Sequence, residues 1–204
     1  MLIVGLTGSI GMGKSTAANY FKDQGIAVFD ADAAVHELYS GRAAPLIENA
    51  FPGTTVGGKV DRHLLSGALL KNPTDFSKLE AIIHPMVREE ERKFLRTQAE
   101  AGAKMAVLEI PLLLETGADA LVDVVIVVSA GPEIQEARVL ERPNMTRAKF
   151  EKIRSLQMHD AEKRKRADFL VDTSESISKS QDELASIISK LQTWQCDAYQ
   201  RHWQ

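Results

Sequence analysis

Residues 8–16 read Gly8-Ser9-Ile10-Gly11-Met12-Gly13-Lys14-Ser15-Thr16, and they follow the apolar run Leu2-Ile3-Val4-Gly5-Leu6. Two glycines separated by four residues and followed by Lys and Ser form a phosphate-binding loop when a strand enters the loop and a helix leaves it. Both flanks are present here, because Ala17, Ala18, Tyr20 and Phe21 continue the pattern as a helix. Gly11 and Gly13 allow backbone angles closed to other residues, so that successive N–H groups can converge on one anion. Lys14 is expected to reach the outer phosphates, and the Ser15 hydroxyl to face Mg²⁺. Gly8, Met12 and Thr16 complete the nucleotide-contacting set. The weaker alternative is a glycine-rich turn that binds nothing.

The rest of the chain fits a fold that presents such a loop. Short apolar runs at 2–6, 26–29, 105–110, 124–128 and 169–171 lack alternation, as expected of strands covered on both faces in a parallel sheet. Helical patterns separate them, which predicts an α/β fold with a doubly wound five-stranded parallel sheet and ligands at the carboxyl ends of the strands. The gap between the second and third runs exceeds one crossover helix. Residues 33–103 are therefore expected to form an inserted helical lobe for the second substrate, with turns at Pro45, Pro52-Gly53, Gly57-Gly58 and Pro73. The nucleotide-binding core is expected over 1–32 and 104–195. Residues 177–194 predict a closing helix, with a loose tail beyond Trp194.

A chain of 204 residues can bury on the order of 70% of its unfolded surface, so it needs no covalent staples. A single cysteine, Cys196, precludes an internal disulfide and points to a reducing compartment. The first apolar stretch runs into a glycine loop instead of a cleavage site, and the run at 124–128 is too short for a bilayer. The expectation is a cytoplasmic protein, monomeric or weakly self-associating, without a membrane partner. A net charge of −3 argues against bulk nucleic-acid binding.

Several residues could carry chemistry. The step from Lys14 to Asp32 is eighteen residues, enough for one helix and one strand, which is expected to return Asp30-Ala31-Asp32 beside the phosphate loop. Asp32 would orient an acceptor hydroxyl and take its proton, or it would merely cap the helix of residues 33–39. Asp30 is open between strand-end support and a metal shell. Glu109 ends the third run where a carboxylate could support Mg²⁺ through water, or it is only a hydrogen-bond partner at a strand end. His84, before Pro85, reads as a histidine at a helix break, and Arg88 as a solvated cation beside Glu89, Glu90 and Glu91. From 138 to 166 ten basic residues face four acidic ones. Arg138 and Arg142, one turn apart on a helix opened by Pro132 and stopped by Pro143, are expected on a short lid over the triphosphate at 132–166. Residues 163–166 are expected to be solvated.

Taken together these residues resemble dephospho-CoA kinase, a P-loop kinase family. The likeness lies in Leu6-Thr7-Gly8, Ser15-Thr16, Asp30-Ala31-Asp32, Asp61-Arg62, residues 79–85, Pro111-Leu112-Leu113 with Glu115, Arg138 with Arg142, Gln157 and Ala167-Asp168. The resemblance implies transfer of a phosphoryl group from ATP, with Mg²⁺, to the ribose 3′-hydroxyl of dephospho-CoA, the last step of coenzyme A biosynthesis. It implies catalytic roles for Asp32, Lys14, Arg138 and Arg142, and acceptor contacts from Thr7, Asp32, His84, Arg88 and Leu112. Mg²⁺ would meet Ser15, with Asp32 or Glu109 acting through water. Ser9, Met12, Glu109 and Asp172 depart from the usual pattern. A shikimate-type kinase resembles the same loop and carboxylate spacing, but the long insertion with its His-Pro segment argues against it. An ATP-driven switch is the reading from another class.

Overall fold

A computed structural model describes residues 1–72 and 74–204; the turn expected at Pro73 lies outside the described residues. The chain divides into two compact units, one of Met1–Phe29 with Leu95–Gln204 and one of Asp30–Phe94. The second unit begins and ends earlier than the 33–103 lobe expected from the sequence.

The first unit is built on strands β1 (Leu2–Thr7), β2 (Ala27–Asp30, whose last residue opens the second unit), β5 (Met105–Glu109), β6 (Val124–Ser129) and β7 (Phe169–Asp172). They form one parallel sheet in the order β2-β5-β1-β6-β7. Every residue of β1 and β6 is buried, which is why these strands are apolar on both faces instead of alternating. Helices α1 (Lys14–Asp23), α6 (Pro132–Leu140), α7 (Arg147–Ser155), α8 (Asp160–Lys165) and α9 (Ile177–Leu191) complete the unit. Its main core joins Leu2, Val4, Leu6, Val124, Ile126 and Val128 to Phe21 of α1 and to Leu184, Ile187 and Leu191 of α9. Side chains of this size each contribute about 1.5–3 kcal/mol on burial.

The end of the chain is not a loose tail. Residues 199–203 form a short π-helical turn, Trp203 is 2% exposed, and its indole N–H donates to the Leu121 carbonyl at 2.8 Å. The Asp123 carboxylate accepts from the backbone N–H groups of Ile3, Asp197 and Ala198, each at 2.8 Å. One side chain thus ties the first strand to the last residues, a link no local pattern announces.

The second unit holds α2 (Ala31–Tyr39), α3 (Ala44–Ala50), α4 (Arg62–Lys71) and most of α5 (Asp75–Glu100), with β3 (Thr55–Val56) and β4 (Lys59–Val60). It is not purely helical as expected. Gly57 and Gly58 both take positive φ, which closes an antiparallel hairpin between β3 and β4. Pro45 does not make a turn but sits in the first turn of α3, where its missing N–H is harmless. Leu38, Ile47, Phe51, Leu65, Leu69 and Ile83 form this unit's own core. The break expected at His84-Pro85 is absent, since α5 runs through Pro85 without interruption. Proline inside a helix forfeits one backbone hydrogen bond at about 3 kcal/mol, a penalty that the packing of Leu79, Ile82, Ile83 and Met86 offsets.

Candidate active site

The phosphate loop leaves β1 at Thr7 and enters α1 at Lys14. Gly11 and Gly13 have φ of 78° and 84°, the left-handed region that the loop shape demands. A β carbon on Gly11 would also lie 2.5 Å from Val139 Cγ2 and 3.0 Å from the Gln135 carbonyl oxygen, so the loop packs directly on α6. Among the described residues, none accepts a hydrogen bond from the backbone N–H of Gly11, Gly13, Lys14 or Ser15, whereas Met12 N–H closes on the Ser9 carbonyl at 3.1 Å. Unpaired N–H groups at a helix start, reinforced by the helix dipole, make an anion cradle.

Lys14 and Glu109 meet within this unit. The Lys14 Nζ lies 3.2 Å from Glu109 Oε1, and both side chains are largely buried. Glu109 ends β5, which pairs directly with β1, so the pairing register places the carboxylate alongside the loop entrance. Ser15 and Thr16 are exposed in the first turn of α1, while Gly8 and Met12 are buried. The Met12 thioether accepts from the Ala130 N–H at 3.0 Å, anchoring the loop's underside in the core.

Thr7 is wholly buried, and its hydroxyl donates to the Pro111 carbonyl at 3.0 Å. In this conformation it has no surface to offer a substrate, and it fastens β1 to the turn that follows β5. Leu112, in that turn, is 36% exposed.

The arginine-bearing segment departs from expectation in three ways. Helix α6 ends at Leu140 with Glu141 as its cap, so Arg142 lies beyond the helix and does not share a helical face with Arg138. Arg138 donates to the Thr173 carbonyl at 2.6 Å and to Thr173 Oγ1 at 3.2 Å, which ties it to the end of β7. The run 163–166 is solvated as expected except at Lys163. Lys163 has no exposed surface; its Nζ lies 2.8 Å from Glu115 Oε1 and donates to the Pro111 carbonyl at 3.2 Å. Arg164, Lys165 and Arg166 keep the expected exposure, Lys165 paired with Glu162 one turn back and Arg166 with Asp119 at 2.6 Å. Local patterning cannot reveal the burial of Lys163, because its partners come from the turn after β5, about 50 positions away in the chain.

Thr173 was not singled out by the sequence, yet it links three parts of the site. Its hydroxyl lies 3.0 Å from the Met12 carbonyl and 3.1 Å from that of Ser129, and its methyl group lies against Gly13. Asp172, just before it, caps the following turn by accepting from Ser174 N–H at 2.7 Å, and this bond holds its carboxyl below the ordinary range.

In the second unit, Asp30 and not Asp32 is the cap of α2. Its carboxylate accepts from Ala33 N–H at 2.9 Å, while Asp32 is exposed in the first helical turn. The geometry is decided by backbone angles, since Asp30 has the extended conformation of a capping residue. His84 is exposed on α5, and Arg88 is half-buried and pairs with Glu91 at 3.0 Å. Glu91 is 3% exposed; burial pushes its carboxyl up to about 7, against the opposing pull of Arg88.

Comparison with known proteins places this chain among its relatives. It is 52% identical over 191 residues to a dephospho-CoA kinase of Agrobacterium fabrum, covering 94% of this chain and 98% of that one. It is 54% identical over 191 residues to a dephospho-CoA kinase of Rhizobium etli, covering 94% of each. The crystal structure of TT1252 from Thermus thermophilus superposes with a TM-score of 0.81 at 32% identity, over 93% of this chain and 97% of that one. The sequence profile described as dephospho-CoA kinase matches residues 2–179, and with this span and identity the chain belongs to the dephospho-CoA kinase family.

Proposed function

We infer that this protein transfers the terminal phosphoryl group of ATP to the ribose 3′-hydroxyl of dephospho-CoA, giving coenzyme A. The observation that carries this reading is the extent of the likeness: 52% identity runs along 94% of the chain, far beyond the phosphate loop that many kinases share. The cradle of unpaired N–H groups on Gly11, Gly13, Lys14 and Ser15 supports the donor side.

In this reading Lys14 leaves Glu109 for the β- and γ-phosphates when ATP binds, exchanging one anion for a more highly charged one. Arg138 and Arg142 stabilise charge on the transferring group; the two hydrogen bonds from Arg138 to Thr173 leave further guanidinium donors to turn toward it. Asp32, relieved of capping by Asp30, holds the acceptor hydroxyl in line and receives its proton. Positioning outweighs basicity for an ionised aspartate whose ordinary pKa is about 4. His84, Arg88 and Leu112 are assigned to the acceptor.

Ser15 and Glu109 are the oxygen donors that fit Mg²⁺, the former directly and the latter through water. Mg²⁺ usually keeps several waters and substrate oxygens instead of an all-protein cage, in keeping with the lack of any three-residue metal cluster among the described residues. When bound, the ion would offset phosphate charge.

The test is direct. Purified protein is mixed with ATP, Mg²⁺ and either dephospho-CoA or shikimate. Phosphorylation of dephospho-CoA at the 3′ position supports the reading. Turnover of shikimate alone, or ATP hydrolysis without a phosphorylated CoA precursor, overturns it.

A further inference from the structure

Ile10, in the middle of the phosphate loop, is held from two sides. Its carbonyl accepts from Gln135 Nε2 at 2.8 Å, and its N–H donates to Gln157 Oε1 at 3.0 Å. The two glutamines come from opposite flanks of the arginine-bearing segment, Gln135 from α6 and Gln157 from just beyond α7. Their amide orientations are unambiguous, because a backbone carbonyl requires the NH₂ end and a backbone N–H requires the oxygen.

Peptide planarity carries these two bonds into the anion cradle. Fixing the Ile10 carbonyl on Gln135 fixes the Ile10–Gly11 peptide plane, so the Gly11 N–H must point the opposite way, away from that glutamine. Fixing the Ile10 N–H on Gln157 likewise directs the Ser9 carbonyl, which accepts from Met12 N–H and closes the turn. Glycine-rich loops have little intrinsic preference for one such arrangement, so outside contacts must select it.

Both glutamines are themselves anchored. Gln135 is 4% exposed and sits against Gly11. The chain just after Gln157 is fastened at Met158, whose N–H donates to Glu115 Oε1 at 2.8 Å, at Asp160, which accepts from Ser129 Oγ at 2.7 Å, and at the buried Lys163. The amides therefore transmit the position of the sheet and of the turn after β5 to the loop.

We propose that Gln135 and Gln157 are positioning residues that hold the phosphate loop in its anion-binding shape through Ile10, so that nucleotide affinity depends on both roots of the arginine-bearing segment. The proposal rests on residues 8–16 being the nucleotide site and is independent of which acceptor is phosphorylated. An unconstrained loop binds nucleotide with an affinity reduced by the fraction of time it spends in the competent shape.

ADP binding by titration calorimetry, without acceptor, tests the idea separately from the assignment of dephospho-CoA. Gln135→Met and Gln157→Met keep side-chain volume and remove the hydrogen bond; each should weaken ADP binding about tenfold, the equivalent of about 1.4 kcal/mol. Gln157→Glu retains an acceptor for the Ile10 N–H and should stay within about twofold of wild type, whereas Gln135→Glu offers no donor to the Ile10 carbonyl and should bind no better than the Met variant. In turnover assays the Met variants should raise KM for ATP and leave KM for the acceptor unchanged. Wild-type ADP affinity in both Met variants overturns the proposal, and so does equal tolerance of Glu at the two positions.

Discussion

Replacing Lys163 by Met tests how this kinase secures the turn after β5. At an effective dielectric of about 20, charges 2.8 Å apart attract by about 6 kcal/mol, while stripping water from each ion costs several kcal/mol. The net worth of the pair is therefore small, but removing one partner is not, because the other stays desolvated. In Lys163→Met, Glu115 keeps its hydrogen bond from Met158 N–H and the Pro111 carbonyl keeps the one from Thr7, so both are only partly orphaned. The expected loss is about 3–4 kcal/mol, at the lower end of the range for a broken buried pair. For a chain of this length that lowers Tm by about 10 °C. The double variant Lys163→Met with Glu115→Gln should recover about half the loss, since no unpaired charge remains. Urea unfolding of the wild type, both single variants and the double variant gives the coupling energy. A Lys163→Met loss below about 0.5 kcal/mol, the scale of an ordinary surface substitution, would mean the ammonium is solvated and the reasoning wrong.

Asp30→Ala should destabilise by about 1 kcal/mol through loss of the α2 cap, while Asp32→Asn should leave urea stability within about 0.5 kcal/mol and abolish most phosphoryl transfer; the reverse pattern would return the cap to Asp32. Glu91, with its carboxyl raised from 4.5 to about 7, binds more protons folded than unfolded between those values, so its contribution to stability falls as pH rises through that window. Glu91→Gln should accordingly gain about 2–3 kcal/mol relative to wild type between pH 5 and pH 8, and unfolding curves at the two pH values with an unchanged difference would contradict the burial argument. Trp203→Ala should cost about 3 kcal/mol or more in urea unfolding, where a loose tail would give a near-neutral change.

The sheet and the phosphate loop could be read in the chain because both are written locally. Buried parallel strands are continuous apolar runs, and glycines before Lys14 and Ser15 mark a phosphate loop between a strand and a helix. Strand ends fell within a residue or two of expectation at 2–7, 105–109 and 124–129. Tertiary structure alone decided which polar groups were committed elsewhere. Lys163 looked solvated because its neighbours in sequence are charged, yet its partners Glu115 and Pro111 lie on a distant turn. Pro85 looked like a break because local propensity opposes helix there, and packing overrode it. Asp30 took the cap from Asp32 through backbone angles that no residue pattern specifies. Thr173, Gln135 and Asp123 act on backbone groups of the phosphate loop and the first strand from more than 100 residues away. Sequence periodicity records which faces turn inward, whereas hydrogen bonds between distant segments exist only once the chain has closed on itself.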